Sequence, residues 1–222
     1  MNRVAYDKTA LCNLALSQLG SDRLQLSSFS TDTGTIKDTV NLFFPTVLEE
    51  LTAMAAWNSC LISAQLTAEL SGEDPDFGYV NAYALPANCV RVYYVSAAQG
   101  GGYKNKPADY EIATHGSTRV LNTDTTDPYI VYTRIPEDLN NTNDYDMMDS
   151  LFARAFYTLL AARICVSITG NSDLESALLD EFYNIVLPDA LRADAIEGKQ
   201  IQQVGEDYRE VCVNSYTTFE KV

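Results

Sequence analysis

Apolar residues recur at helical spacing in four stretches of this chain, and the segment between the second and third stretches is patterned for strands instead. Leu11, Leu14, Ala15 and Leu19 follow Asp7-Lys8-Thr9 and stop at Gly20, which predicts a short helix with a cap-like start and a glycine end. Residues 21–35, rich in Ser, Thr, Asp and Gly, read as a loop. From Ile36 to Leu66 the apolar positions Val40, Phe43, Phe44, Val47, Leu48, Leu51, Met54 and Ala55 predict a long helix. Pro45 falls inside it, so either a kink lies there or two helices meet.

The pattern changes after Ser71-Gly72-Glu73-Asp74-Pro75. Residues 79–96 carry Val90, Val92 and Val95 with Tyr93 and Tyr94, a β-rich composition. Gly100-Gly101-Gly102 makes a turn, and residues 110–113, 119–121 and 129–132 read as three further short strands. Helical spacing returns at Asp146, with Met148, Leu151, Phe152, Ala155, Phe156, Leu159, Leu160 and Ile164, and ends near Gly170-Asn171. Asp173 opens another helix through Leu174, Ala177, Leu178, Phe182, Ile185 and Val186, kinked at Pro188 and ending near Gly198. The last segment has no strong period, although Tyr208, Val211, Val213, Tyr216 and Phe219 give it apolar handles.

The expected fold is therefore α+β, mainly α: a helical bundle with an inserted small antiparallel β-sheet and an extended C-terminal tail. Residues 1–77 supply the first helices, 78–135 the sheet, 136–198 the returning helices and 199–222 the tail. With 222 residues and 46% apolar content the chain can build a sizeable core; a domain of this size buries roughly 70% of its unfolded surface.

Charge narrows the function classes. Fifteen Lys and Arg against thirty Asp and Glu leave a net charge of −15. Nucleic-acid binders use cations to displace counterions from phosphates, so this balance opposes DNA affinity, though not a conduit along which DNA must slide. Five scattered cysteines (Cys12, Cys60, Cys89, Cys165, Cys212) contain no CxxC pair and point to a reducing compartment without a disulfide framework. Residues 1–10 lack the apolar run of a signal peptide, and there is no run of 18 apolar residues, so a soluble protein made in the cytoplasm is expected, with no membrane partner.

Candidate chemistry is sparse. His115, the only histidine, lies in the turn-like Thr114-His115-Gly116-Ser117 without a GxSxG elbow, and a surface-turn role is expected for it. One histidine and no cysteine pair disfavour zinc. Asp144, Asp146 and Asp149 lack the glycine and distal glutamate of a calcium loop and read as acids at a helix N-terminus. Gly100-Gly101-Gly102 lacks the spacing of a phosphate loop. Among thirty carboxylates nothing selects a pair for glycoside hydrolysis. Tyr79, Tyr83, Tyr93 and Tyr94 read as sheet-face packing, since interleaved cations are almost absent. No catalytic residue, metal or cofactor is expected.

Three segments together resemble one family. Ala10-Leu11-Cys12-Asn13-Leu14-Ala15-Leu16-Ser17-Gln18-Leu19-Gly20 resembles the opening helix of phage adaptor proteins. Tyr79-Val80-Asn81-Ala82-Tyr83-Ala84-Leu85-Pro86-Ala87-Asn88-Cys89-Val90-Arg91-Val92 is similar to the family's Tyr-x-x-Ala-Tyr-x-Leu-Pro-x-Asp-x-Leu-Arg-Val pattern, whose strand begins just after the proline; here Asn88 replaces the acid and Val90 the leucine. Ser150-Leu151-Phe152-Ala153-Arg154-Ala155-Phe156, continuing to Leu160-Ala161-Ala162, resembles the family's Phe-x-x-Ala helix. Trp57 stands where the family has Trp-x-Phe-Ala, but reads Trp57-Asn58-Ser59-Cys60 here.

The resemblance spans roughly residues 8–198 in collinear order and is to the tail tubular protein A and gene-4-like adaptor group of short-tailed phages. It implies a non-enzymatic head-to-tail adaptor, a twelve-subunit homo-oligomeric ring beneath the portal protein and above the tail tube or nozzle protein, through which genomic DNA passes without specific binding. It also implies a virion location at the portal vertex after assembly in the host cytoplasm, and a C-terminal extension that reaches the portal; residues 199–222 are expected to do the same here, with the apolar handles Tyr208, Val211, Val213, Tyr216 and Phe219 as the candidate docking residues. Two variants compete: a head-completion protein of a long-tailed phage, and a virion-associated muralytic hydrolase using two carboxylates. A host-side acidic decoy for a basic partner is a third.

Overall fold

The computed structural model describes residues 6–20, 25–67, 70, 75–98, 107–139, 142–143, 145 and 148–197. The architecture is α+β and mainly helical, as the pattern predicts. Helices α1 (Lys8–Ser17) and α2 (Thr35–Met54) precede the strands, and α3 (Ser150–Thr169), α4 (Ser172–Glu181) and α5 (Leu187–Glu197) follow them. Between lie β1 (Leu61–Gln65), β2 (Asn81–Ala84), β3 (Cys89–Ser96), β4 (Tyr110–His115), β5 (Thr118–Thr123), β6 (Tyr129–Arg134) and the two-residue strands β7 (Asp138–Leu139) and β8 (Thr142–Asn143). The expected docking tail lies outside the described residues, as do Gly100-Gly101-Gly102, Asp144 and Asp146.

The centre of the bundle is α3. It touches α1, α2, α4, α5 and the turn between the last two, which is why its sequence is apolar on nearly every side rather than along one stripe. Its length and composition would also suit a membrane span, but most of it is buried inside the molecule. Phe156 meets Phe44 of α2 edge-on at 4.9 Å, and Phe152 meets Trp57 edge-on at 5.1 Å, geometries that align a positive ring edge with a negative face. The helix begins later than Asp146: Asp149 is its cap, with a side-chain oxygen accepting the Leu151 N–H. Gly170 ends it at φ +69°, a conformation a side chain would strain, and its N–H donates to the Val166 carbonyl.

Both prolines expected to disturb helices are accommodated. A single helix, α2, runs through Pro45. The kink expected at Pro188 takes the form of a π turn over Phe182–Val186, in which the Leu187 N–H reaches back five residues to the Phe182 carbonyl. The wider turn absorbs a residue that cannot donate to the ladder.

Two expectations are corrected. The second helix does not continue to Leu66; it stops at Met54, and Leu61–Gln65 is a strand. Leu61, Ile62 and Leu66 fit either periodicity, and pairing with β6 along the whole of β1, from Leu61 opposite Thr133 to Gln65 opposite Tyr129, selects the strand. The β-insertion therefore begins near residue 61 rather than 78. It also comprises two three-stranded antiparallel sheets rather than one, in the orders β1-β6-β3 and β2-β5-β4, beside the small β7-β8 ladder. Proline explains part of this: the residues around Pro86 break the β-rich stretch into β2 and β3, closed by a Cys89 N–H bond to the Pro86 carbonyl. The two sheets share one apolar core, to which Tyr83, Leu85 and Leu121 contribute from one side and Val92, Val95, Ile130 and Tyr132 from the other. Register shifts within β3, between Cys89 and Arg91 and between Val92 and Tyr94, curve it around that core.

The segment Trp57–Cys60 joins the two cores. Trp57 is 1% exposed and donates its indole N–H to the Leu51 carbonyl at 2.7 Å, one of the last-turn carbonyls of α2 that lack a helical partner. Asn58 bonds to Asp194 of α5 twice, backbone N–H to Oδ1 at 2.9 Å and side-chain Nδ2 to the carbonyl at 2.7 Å. The insertion is thus tied to the second and last helices at its root.

Candidate assembly surfaces

Among the described residues, an apolar-walled cleft and two groups of exposed apolar side chains stand apart from ordinary solvated polarity. The first is an open cleft of about 470 Å3 where the chain leaves β6 and passes α1 and α2. Its apolar walls come from Phe29, Phe44, Leu48, Ile135 and Pro136, and Lys8, Asn41 and Glu137 supply the polar part. Lys8 lies over two rings, its Nζ 4.0 Å from the Phe29 centroid and 4.8 Å from that of Phe44, so the cation is held by ring faces at the cleft wall. Pro45 also lines the cleft, and its missing N–H releases the Asn41 carbonyl from the α2 ladder.

The second feature is the turn Asp76–Gly78 on the insertion. Phe77 there has φ +62°, a left-handed conformation that is rare for a bulky residue, and its side chain is 70% exposed. Val80, close by, is 69% exposed, with its N–H held by the Asp124 carboxylate at 3.1 Å. His115 fixes the turn: its Nε2 is 2.7 Å from Asp76 Oδ2. This corrects the surface-turn reading of that histidine. It does sit at the β4-β5 hairpin turn, but its side chain is only 10% exposed, while Asp76 remains 49% exposed. The third feature is the outer side of the last helices, where Tyr183, Ile185, Leu191 and Ile196 are exposed just before the chain continues toward residue 222.

The residues singled out by the resemblance fall mainly in the two cores. Trp57, Phe152 and Ala155 meet in the helical core, and Tyr83 and Leu85 in the sheet core. Tyr83 also accepts the Asp127 N–H through its hydroxyl at 3.0 Å. Gly20 has φ +81° after the end of α1, Pro86 starts the turn into β3, Tyr79 is half-buried, and Arg91 is exposed on β3. The structure therefore does not draw these residues into one site. Sequence reasoning missed Phe77 and the cleft. An aromatic isolated between Asp76 and Gly78, belonging to neither periodicity, was the available signal for the former; the cleft brings together residues too far apart in sequence to leave one.

The four described cysteines are not arranged as nucleophiles. Cys12, Cys60, Cys89 and Cys165 are buried free thiols. Burial pushes Cys12 up to about 12 and Cys60 up to about 11, and raises Cys89 as well, the opposite of what a reactive thiolate requires. Because the folded state holds these protons more tightly than the unfolded chain, their stabilising effect is complete below about pH 9 and is lost as pH rises. Between pH 9 and 10 stability should fall by about 1 kcal/mol for each fully protected thiol, the slope approaching about 1.4 kcal/mol per pH unit at higher pH. Urea titrations at pH 8, 9 and 10 would show it, and the slope should lessen in Cys12→Ala. A flat profile would contradict this account.

Ion pairs between helices are structural: Arg163 of α3 bonds Glu50 of α2 at 2.7 Å, and Arg154 of α3 bonds Glu181 of α4 at 3.3 Å. Among the described residues no group of three or more His, Cys, Asp or Glu could hold a metal ion. No family model matches the chain, and no curated protein matches it.

Proposed function

We propose that this chain is a structural head-to-tail adaptor of a tailed bacteriophage, a ring subunit that lies between portal and tail and surrounds the path of the DNA. The observation that carries the reading is the resemblance of Tyr79–Val92 to the adaptor pattern, in collinear order with the segments on α1 and α3. Its placement here supports that reading: Tyr83 lies on β2, Pro86 opens the turn, and a strand follows from Cys89.

Physical arguments run the same way. A closed ring needs a heterologous interface in which one patch meets a different patch on the neighbour, and a bundle carrying a separate sheet insertion offers unlike faces for it. A net charge of −15 suits a channel wall, because a phosphate backbone finds few cations on which to dwell. A wall lined mainly by Lys and Arg would overturn that part.

The test is to mix the purified protein with isolated portal rings and image them by negative-stain microscopy. Extra ring density on the tail-facing side is expected. Portal rings that stay bare would overturn the proposal, and a clearing zone on a peptidoglycan gel would favour the muralytic alternative.

A further inference from the structure

We infer that Phe77 of one copy of this chain inserts into the cleft between α1, α2 and the Ile135-Pro136 segment of a neighbouring copy, forming a heterologous contact of the ring; this rests on the adaptor reading only in that it needs self-association. Three observations meet here. A phenylalanine in a left-handed conformation and 70% exposed carries backbone strain and an apolar hydration penalty together. Such a residue persists where its surroundings over-determine it, and strain of this kind clusters at functional sites. Its surroundings do so: the 2.7 Å bond from nearly buried His115 fixes Asp76, the preceding residue.

The cleft is the complementary half. At about 470 Å3 it lies within the range of specific binding pockets and has ample room for a phenyl ring. Phe29 and Ile135, half-buried at the cleft wall, offer that ring apolar contact above the buried Phe44 and Leu48. The cleft carries one charge of each sign, Lys8 and Glu137. Asp76, half exposed beside the protruding ring, would approach Lys8, which the cleft holds over its own aromatics. Glu137 on the same cleft opposes this, so the ring burial supplies the affinity and the Asp76–Lys8 approach the orientation. Protrusion and cleft belong to the insertion and to the bundle respectively, so they are different patches on one chain. That is the condition for a contact which propagates around a ring rather than pairing two copies symmetrically.

The test uses two full-length variants. Phe77→Gly removes the protruding ring and suits the positive φ, so the thermal midpoint should hold or rise while self-association is lost. Asn41→Trp, at an exposed position lining the cleft, fills the cleft and should also abolish self-association. Mass photometry over a concentration series should find oligomers for the natural chain and monomers for each variant alone. An equimolar mixture should stop at dimers, because each pair can make one productive contact and no further one. Monomers in the mixture, or oligomers of Phe77→Gly alone, would overturn the contact. Portal-bound rings that still form with Phe77→Gly would overturn it while leaving the adaptor reading intact, whereas dimers in the mixture with bare portals would do the reverse. A natural chain that remains monomeric at every concentration would also overturn the contact.

Discussion

Trp57→Ala is expected to destabilise the protein by about 3–5 kcal/mol from lost burial and the cavity left behind. The side chain is 1% exposed and stands edge-on to Phe152 at 5.1 Å. A further loss of about 1 kcal/mol is expected because the Leu51 carbonyl loses its indole donor. Against a typical domain stability of about 5–15 kcal/mol, that is enough to populate unfolded chains at ambient temperature. The position matters as well as the burial: Trp57 lies where α2 ends and the chain turns toward β1, and Asn58 beside it holds Asp194 of α5. Because Trp57 is the only tryptophan, urea unfolding should be followed by far-ultraviolet circular dichroism rather than fluorescence. Trp57→Phe, which keeps a ring against Phe152 but donates nothing, should lose clearly less. Equal losses for the two variants would show that ring packing is not the main contribution.

The second large effect is functional. Truncation after Glu197 should abolish binding to portal rings without lowering the thermal midpoint, if residues 199–222 dock on the portal as the sequence leads one to expect. Among the described residues both apolar cores are assembled from side chains between Leu11 and Ala190, so the truncation removes none of those core side chains. The exposed apolar side chains of α5 and the preceding turn, Ile185 and Ile196 among them, lead toward that segment and would remain. Within the full chain, replacing Tyr216 and Phe219 together by serine should reproduce most of the binding loss. Portal co-sedimentation beside a thermal melt distinguishes the outcomes. Undiminished binding by the truncated chain would refute the docking role of the tail, and a lowered melting point would show that the segment is part of the folded core.

Helices with long, unambiguous apolar spacing are legible in the amino-acid pattern. Asp7 and Gly20 bracket α1, Gly170 and Asn171 separate α3 from α4, and the strands β4, β5 and β6 fall within a few residues of their expected places. In each case the signal is local: a capping side chain, a glycine with φ above zero, or β-branched and aromatic residues between turn clusters. Leu61–Gln65 fails the same reading because a short apolar run suits both periods, and only its pairing with β6, almost seventy residues later, decides between them. The division into two sheets is hidden for a related reason. Which strand lies beside which is a matter of long-range hydrogen bonding, and neither Tyr83 nor Val92 announces that it will face the other across a core.

Composition and near neighbours along the chain therefore suffice for the class of fold, the acidic balance, the apolar setting of Cys12 and Cys165 and the segments carrying the adaptor resemblance. Each of these depends on residues only a few positions apart. Three-dimensional packing is needed to enclose His115 against Asp76 and to leave Phe77 standing out from its turn. It also gathers Lys8, Phe29, Phe44 and Ile135 around one cleft. Those outcomes require side chains distant in sequence to share a few ångströms of space, and the folding of the complete chain, not local preference, sets which of them do.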